Sequence, residues 1–269
     1  MSINAQEIKG LKIYRGNATR RIFIAVGLTG LLRAEWVQAR YCGQIIPSNW
    51  SQVQYTQFID QMAPMGYGVS DFRNIAVKEF LAKDFEWLIF IDHDVVLPPD
   101  FTIKVNERII KEKVPVWSGL YFTRSVPAEP IVYKDRGNGY AGDWRIGDKV
   151  WTQAVPMGCT VIHNSILKTA WNETEEYKIG PDFGHRIFQN PDKGWIDPIS
   201  RTWMVKSGTE DLDFCWRVID NQWFKKSGWP EYQKKKYPFL IDTSIFCGHI
   251  NPDGKIFPSG GEEQYFMRK

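Results

Sequence analysis

Cysteine is scarce in this chain of 269 residues, and the four present, Cys42, Cys159, Cys215 and Cys247, are widely spaced with no CxxC pair. That spacing excludes a zinc knuckle and a disulfide framework, and it predicts reduced core thiols of a cytosolic protein. Long apolar runs are also missing. The longest, residues 22–32, is broken by Gly and Thr, and the first ten residues, MSINAQEIKG, are polar. No signal peptide or transmembrane segment is read from this, so a soluble, cytoplasmic protein is expected. An excess of one charge sign is lacking as well: the formal net charge is +3, too small to announce a nucleic-acid or membrane partner. The basic triplet Lys234-Lys235-Lys236 reads as solvated surface. There is no internal repeat, no low-complexity segment and no Walker loop, which removes solenoids and P-loop enzymes. Without export, the sequons at Asn17, Asn49 and Asn172 carry no weight.

What is present is core material. Hydrophobic residues make up 43% of the chain and aromatic ones 14%, with 12 Trp, far from compositions that stay disordered. One domain over residues 21–250 is expected, preceded by an extension, 1–20, and followed by a Gly/Pro-rich surface tail, 251–269.

Residues 21–28, RIFIAVGL, read as a buried first strand running into Gly-Leu-Thr-Gly. Ser70 is the predicted N-cap of a helix with Phe72, Ile75, Ala76 and Phe80 on one face, and with Arg73 and Asn74 projecting from its first turn. Trp87–Ile91 is an apolar strand that stops at Asp92-His93-Asp94, after which Pro98-Pro99-Asp100 restarts the chain as a capped helix. Strands are predicted at 114–122, 128–133 and 150–162, a short helix after Asn164, and a mobile loop over 178–208 carrying Trp195 and Trp203. Thr209 caps a helix with Leu212, Cys215, Trp216 and Ile219 on one face and Glu210 and Asp211 in its first turn. A last strand, 239–246, leads to Cys247-Gly248-His249. Alternating strands and helices followed by a β-rich half predict a single mixed α/β domain.

The charged residues fall where that class binds ligands. In open parallel sheets the carboxyl ends of strands face a crevice, and Asp92 and Asp94 stand at such an end. Two carboxylates one residue apart can hold a hard divalent cation whose remaining sites go to diphosphate oxygens and water.

Four features in this order resemble the GT-A glycosyltransferases, close to the family 2-like enzymes also found in viral and bacterial genomes. They are the leading strand RIFIAVGL, the helix with Arg73 and Asn74 ahead of the acidic strand, FEWLIFIDHDV itself, and the acidic helix start in Gly208-Thr-Glu-Asp-Leu-Asp-Phe-Cys-Trp-Arg217 with His249 after the last strand. The likeness spans about residues 20–250. It implies a mostly parallel central sheet flanked by helices, with a Rossmann-like nucleotide-binding half. It also implies an enzyme that uses Mn²⁺ or Mg²⁺ and a nucleotide-diphosphate sugar. Asp94 would ligate the metal, Asp92 would contact the ribose and the metal or its waters, and His249 would complete the set. Arg73 would add positive charge or contact the base, and Thr29 would touch the donor, although Gly-Leu-Thr-Gly departs from the family's Pro-Thr-Tyr/Asn turn.

An inverting transfer needs a general base for the acceptor hydroxyl. Asp211 is the candidate and Glu210 its alternative, since either could serve instead as a helix-dipole partner. Strand alternation turns His93 away from the metal. The acceptor is a glycan, a protein, a small molecule or a modified nucleic-acid base. The chain has no QxxRW element, so a processive synthase is not expected. The competing classes are a nucleotidyltransferase or metal-dependent phosphohydrolase, and a non-catalytic carbohydrate-binding protein to which the Trp content is suited.

Overall fold

A computed structural model describes residues 21–28, 30–47, 59–135, 140–191, 193–206 and 208–260. The expected extension 1–20, Thr29 and the sequons at Asn17 and Asn49 lie outside the described residues. A seven-stranded sheet has the spatial order β2 (Ile59–Met62), β1 (Ile22–Gly27), β3 (Trp87–Asp92), β7 (Cys159–His163), β5 (Val116–Leu120), β12 (Phe239–Phe246) and β6 (Lys149–Thr152), numbered along the chain. The pairings run β2, β1, β3, β5 and β12 one way and only β7 and β6 the other. The α/β class with a mostly parallel central sheet flanked by helices is therefore as the sequence predicts. β1, β3, β5 and β7 are almost wholly buried, which is why they read as unbroken apolar runs instead of alternating ones.

The larger helices are α2 (Val69–Ala82), α3 (Phe101–Lys111), α4 (Asn164–Glu173) and α5 (Glu210–Asp220), and a single turn, α1 (Ala34–Val37), precedes them. On α2 the predicted face of Phe72, Ile75, Ala76 and Phe80 is buried. The N-cap, however, is Gly68 and not Ser70, and Arg73 and Asn74 are buried instead of projecting. On α5 the buried face is Phe214, Cys215 and Val218. Only Cys215 of the predicted stripe lies fully inside, because α5 meets Phe188 through a stacked Phe214 ring at 4.6 Å. Asp100 is the N-cap of α3 but its side chain caps nothing; it pairs with Lys104 at 2.7 Å.

Three segments depart from the predicted elements. Residues 128–133 form no strand, since the prolines at 127 and 130 lack the N–H that a ladder needs, and only isolated bridges such as Phe122↔Pro130 form. The run 150–162 divides into β6 and β7 across a turn. The expected mobile loop contains two antiparallel hairpins: β8 (Glu176–Ile179) with β9 (Asp182–His185), and β10 (Lys193–Ile196) with β11 (Trp203–Lys206). Past residue 250 most of the described residues, 251–260, are exposed, but β14 (Ile256–Phe257) pairs with β13 (Gly248–Ile250), and Phe257 is buried. Of the four free cysteines three are buried, while Cys42 is exposed, so the core-thiol expectation fails for that one.

Two packing details position the charged residues at the sheet edge. A file of rings crosses from α2 through β3 to α5: Phe72 to Phe90 at 6.0 Å, Phe90 to Phe188 at 5.5 Å, then Phe188 to Phe214. Asn74, fully buried, fixes the segment carrying Phe188, because it accepts from the Phe188 N–H at 2.9 Å and donates to the Phe188 carbonyl at 2.8 Å. Removing that amide strands two buried backbone groups, each worth about 1–3 kcal/mol. Asn74→Ala is expected to lower unfolding stability by about 2–4 kcal/mol, read from the denaturant midpoint at unchanged slope. A change below about 0.5 kcal/mol would show that water replaces the side chain.

Candidate active site

β3 delivers Asp92 to the carboxyl edge of the sheet. Its backbone is held by the Gly158 carbonyl, which accepts from the Asp92 N–H at 2.9 Å, and by the Trp36 indole, which donates to the Asp92 carbonyl at 3.0 Å. Phe90, two residues earlier, shares its face. Above Phe90 lies the Arg73 guanidinium, 5.0 Å from the ring centroid. Arg73 donates to both Asp92 oxygens at 3.2 Å and through Nε to Glu210 at 3.1 Å. Its side chain is only 2% exposed. Burial opposes its charge, but Asp92, Glu210 and Asp211 outweigh that and raise its pKa further. One arginine thus ties α2, the end of β3 and the start of α5 together. Its charge faces protein carboxylates, and it does not line the neighbouring cleft.

His93 and Asp94 both lie beyond the strand, in a turn, so strand alternation does not govern His93, which lines the cleft. The chain reaches His249 by an unobvious route. β12 pairs with β5 as far as Asp242↔Gly119, slips, and resumes at Phe246↔Leu120. β13 then leaves the main sheet and pairs with β4 (Val95–Val96), setting His249 opposite Val95. As a result His249 Nε2 stands 3.4 Å from Asp94 Oδ2. On the same oxygen, at 2.9 Å, lies Nη1 of Arg124, a residue that the sequence alone does not single out. Burial would raise the Asp94 carboxyl, but His249, then Arg124 and His93, overcome it and hold the group below the usual Asp range.

Glu210 and Asp211 open α5, and the structure separates them. Glu210 is held by Arg73; Asp211 makes no ion pair among the described residues and accepts hydrogen bonds from the Thr209 side chain and the Leu212 N–H. Burial, and after it the Glu210 charge, push the Asp211 carboxyl above its ordinary value. Tyr121, likewise unmarked in the sequence, is buried beside these groups, and burial with the charges of Asp92 and Asp211 raises its phenol well above the usual range. Its hydroxyl accepts from the Gly158 N–H at 2.9 Å. A Cβ on Gly158 would meet that oxygen at 2.6 Å, so glycine is required there. Neither Tyr121 nor Arg124 has a motif to mark it; the only signal is that both come within four residues after β5, at the same sheet edge.

Beside Asp92-His93-Asp94 a cavity of about 140 Å³ is lined by Gly27, Leu28, Pro64, Tyr67, Val69 and Phe72. The structure thus brings Arg73, Asp92, Glu210 and Asp211 into one cluster and Asp94 with His249 into an adjoining one. Thr29 follows the cleft residue Leu28 and lies outside the described residues. So do the side chains of Trp195 and Trp203. Among the described residues no group of three or more His, Cys, Asp or Glu is spaced to hold a metal by itself, and no helix is long and apolar enough to cross a membrane.

The fold and this cluster define an α/β protein with an acidic cleft at the carboxyl edge of its sheet. No protein-family model matches the chain, and no curated protein matches it. Among solved structures it is similar to A197 from STIV, at 17% identity and a TM-score of 0.49 over 88% of this chain and 92% of that one. It is also similar to GalNAc-T7 with UDP, GalNAc and Mn²⁺, at 12% identity and a TM-score of 0.46 over 88% of this chain but 45% of that one. S. aureus TarS 1-349 in complex with UDP-GlcNAc matches at 14% identity and a TM-score of 0.37, over 58% of this chain and 48% of that one. At these levels the likeness assigns this chain neither a family nor a ligand.

A carboxyl whose folded pKa exceeds its unfolded one costs stability when ionised, and the cost grows as pH rises from the unfolded value through the folded one. Asp211→Asn, which keeps an oxygen acceptor for Thr209 and Leu212, is therefore expected to raise the melting temperature near neutral pH. The gain should vanish below the ordinary Asp value of 3.8, where both proteins are uncharged at this site. Equal melting temperatures at pH 7 and pH 3 would mean that Asp211 is not strained.

Proposed function

We propose that the chain is a metal-dependent glycosyltransferase of the GT-A type, moving a sugar from a nucleoside-diphosphate sugar to an acceptor hydroxyl with inversion. The observation that supports this best is the meeting of Asp92, Glu210 and Asp211 around one buried arginine, with Asp94 and His249 alongside. Concentrated like charge costs folding stability and is characteristic of chemical sites. A binding protein that only stacks on sugars has no use for it.

The donor set suits Mn²⁺ or Mg²⁺ at Asp94 and His249. The Phe122 carbonyl, which can only accept, lies 2.7 Å from His249 Nδ1, so that nitrogen carries the proton. The other nitrogen, Nε2, is then the one turned towards the Asp94 carboxylate, so that these two groups would together hold the cation. Asp92 is assigned to the ribose and to waters of the metal. When bound, the metal supplies Lewis-acid neutralisation of the diphosphate as it leaves.

The protein's own groups do the rest. The cleft floor of Gly27, Leu28, Tyr67 and Phe72 receives the nucleoside end of the donor. Glu210, occupied by Arg73, holds the start of α5 in place. Asp211 takes the proton of the acceptor hydroxyl as its oxygen attacks the anomeric carbon and the bond from that carbon to the diphosphate breaks. A raised pKa makes Asp211 a better proton acceptor near neutral pH. The acceptor is a glycan, a protein, a small molecule or a modified nucleic-acid base.

Thermal stability against a panel of nucleoside diphosphates and nucleotide sugars, with and without Mn²⁺, tests the donor site by linkage. One nucleotide should raise the melting temperature in a metal-dependent manner, and Asp94→Ala should lose that rise. Asp211→Asn should keep it while turnover falls about 10²- to 10⁴-fold. Absence of any metal-dependent rise across the panel would sink the donor-site assignment and favour a phosphohydrolase or a non-catalytic protein.

A further inference from the structure

The two arginines at the acidic cluster are held in different ways. Arg73 is buried at 2% exposure and donates aligned hydrogen bonds to Asp92 and Glu210. Arg124 is 39% exposed and meets Asp94 at 2.9 Å as a charge contact. It stands on a narrow turn over residues 121–131, closed at its base by the Thr123 N–H to Glu129 carbonyl bond at 2.8 Å and the Ile131 N–H to Tyr121 carbonyl bond at 3.0 Å. Residues 124–127 at the tip are exposed. Arg73 therefore cannot leave its partners without stranding buried charge, whereas Arg124 can turn into solvent at little cost.

The oxygen that Arg124 touches is the one facing His249 Nε2, where the metal is assigned. A guanidinium and a divalent cation cannot share one carboxylate oxygen without strong repulsion. Once displaced, Arg124 remains on its turn beside whatever the cation binds, and its planar fork matches a diphosphate in a bidentate manner. From this we infer that Arg124 is a displaceable counter-ion of Asp94, occupying the cation position in the empty protein and turning to the donor diphosphate when the cation enters. The inference rests on the donor-site reading and adds a diphosphate-recognition residue that no sequence motif marks. Metal and diphosphate would then enter in a coupled way, since each favours the same arginine position.

Calorimetric titration of the full chain with Mn²⁺ alone, and then with inorganic pyrophosphate at saturating Mn²⁺, separates the steps without any activity measurement. Arg124→Gln should bind Mn²⁺ up to about fivefold more tightly, the scale of one exposed ion pair. It should bind pyrophosphate on the order of tenfold more weakly, the scale of a charged hydrogen bond. Arg124→Lys should fall between. Opposite changes in the two affinities are the signature, because a merely structural arginine would weaken both. Unchanged Mn²⁺ affinity in Arg124→Gln, with binding lost in Asp94→Ala, would overturn the role of Arg124 and leave the donor site standing. Equal Mn²⁺ binding in wild type and Asp94→Ala, or none in wild type, would overturn both.

Discussion

The structure hinges on a guanidinium almost wholly shut off from water. Arg73 must be satisfied within the protein, and its partners come from the end of β3 and the first turn of α5, 19 and 137 residues away. Removing such a charge from water costs several kcal/mol unless opposite charges meet it at close range. Asp92 and Glu210 therefore owe their positions to Arg73 as much as to their own elements. The same need explains the division of labour at the start of α5. Two adjacent carboxylates face one arginine, the first is held by it, and the second is left buried with a raised pKa.

The second constraint is where the sheet comes apart. β12 and β5 lose register after Asp242↔Gly119, and the chain leaves the central sheet after Phe246. The slip after Asp242 is stabilised by Asp242 itself, which accepts from the Ser244 N–H at 3.1 Å and hydroxyl at 2.6 Å, and by Thr243, whose hydroxyl donates to the carbonyls of Arg145 and Asp148. Gly119 admits the crossing, since a Cβ there would meet Ile245 Cγ2 at 2.8 Å. Beyond the slip the chain crosses to the short strand after Asp94, and a histidine and an aspartate 155 residues apart become neighbours.

Much of the frame could be read directly. β1 and β3 are apolar runs ended by glycine and by charge, because burial on both sides of a sheet leaves an unmistakable composition, and the buried face of α2 follows its spacing. Reading failed where tertiary packing overrode local preference. Residues 128–133 look like a strand but carry Pro130, and follow Pro127, where N–H groups are needed. The stripe on α5 is rotated because Phe188 comes to meet it. Residues 178–208 read as a loop from their glycines and prolines, yet Gly180, Pro181 and Pro198 mark the turns between hairpin strands, and Gly184 and Gly194 lie within strands. The clustered acidic residues were legible as types; the partners of each were not.

By itself the sequence determined the class of fold, the strand that ends in Asp92, and the carboxylates available for chemistry, since these depend on local composition and on order along the chain. Only the tertiary structure decided that Arg73 is a buried tie between three elements, that Glu210 is ion-paired and Asp211 is not, and that Arg124 and His249 meet on one oxygen of Asp94. Those outcomes depend on distances between elements remote in sequence and on how much water is excluded between them, quantities that no local pattern encodes.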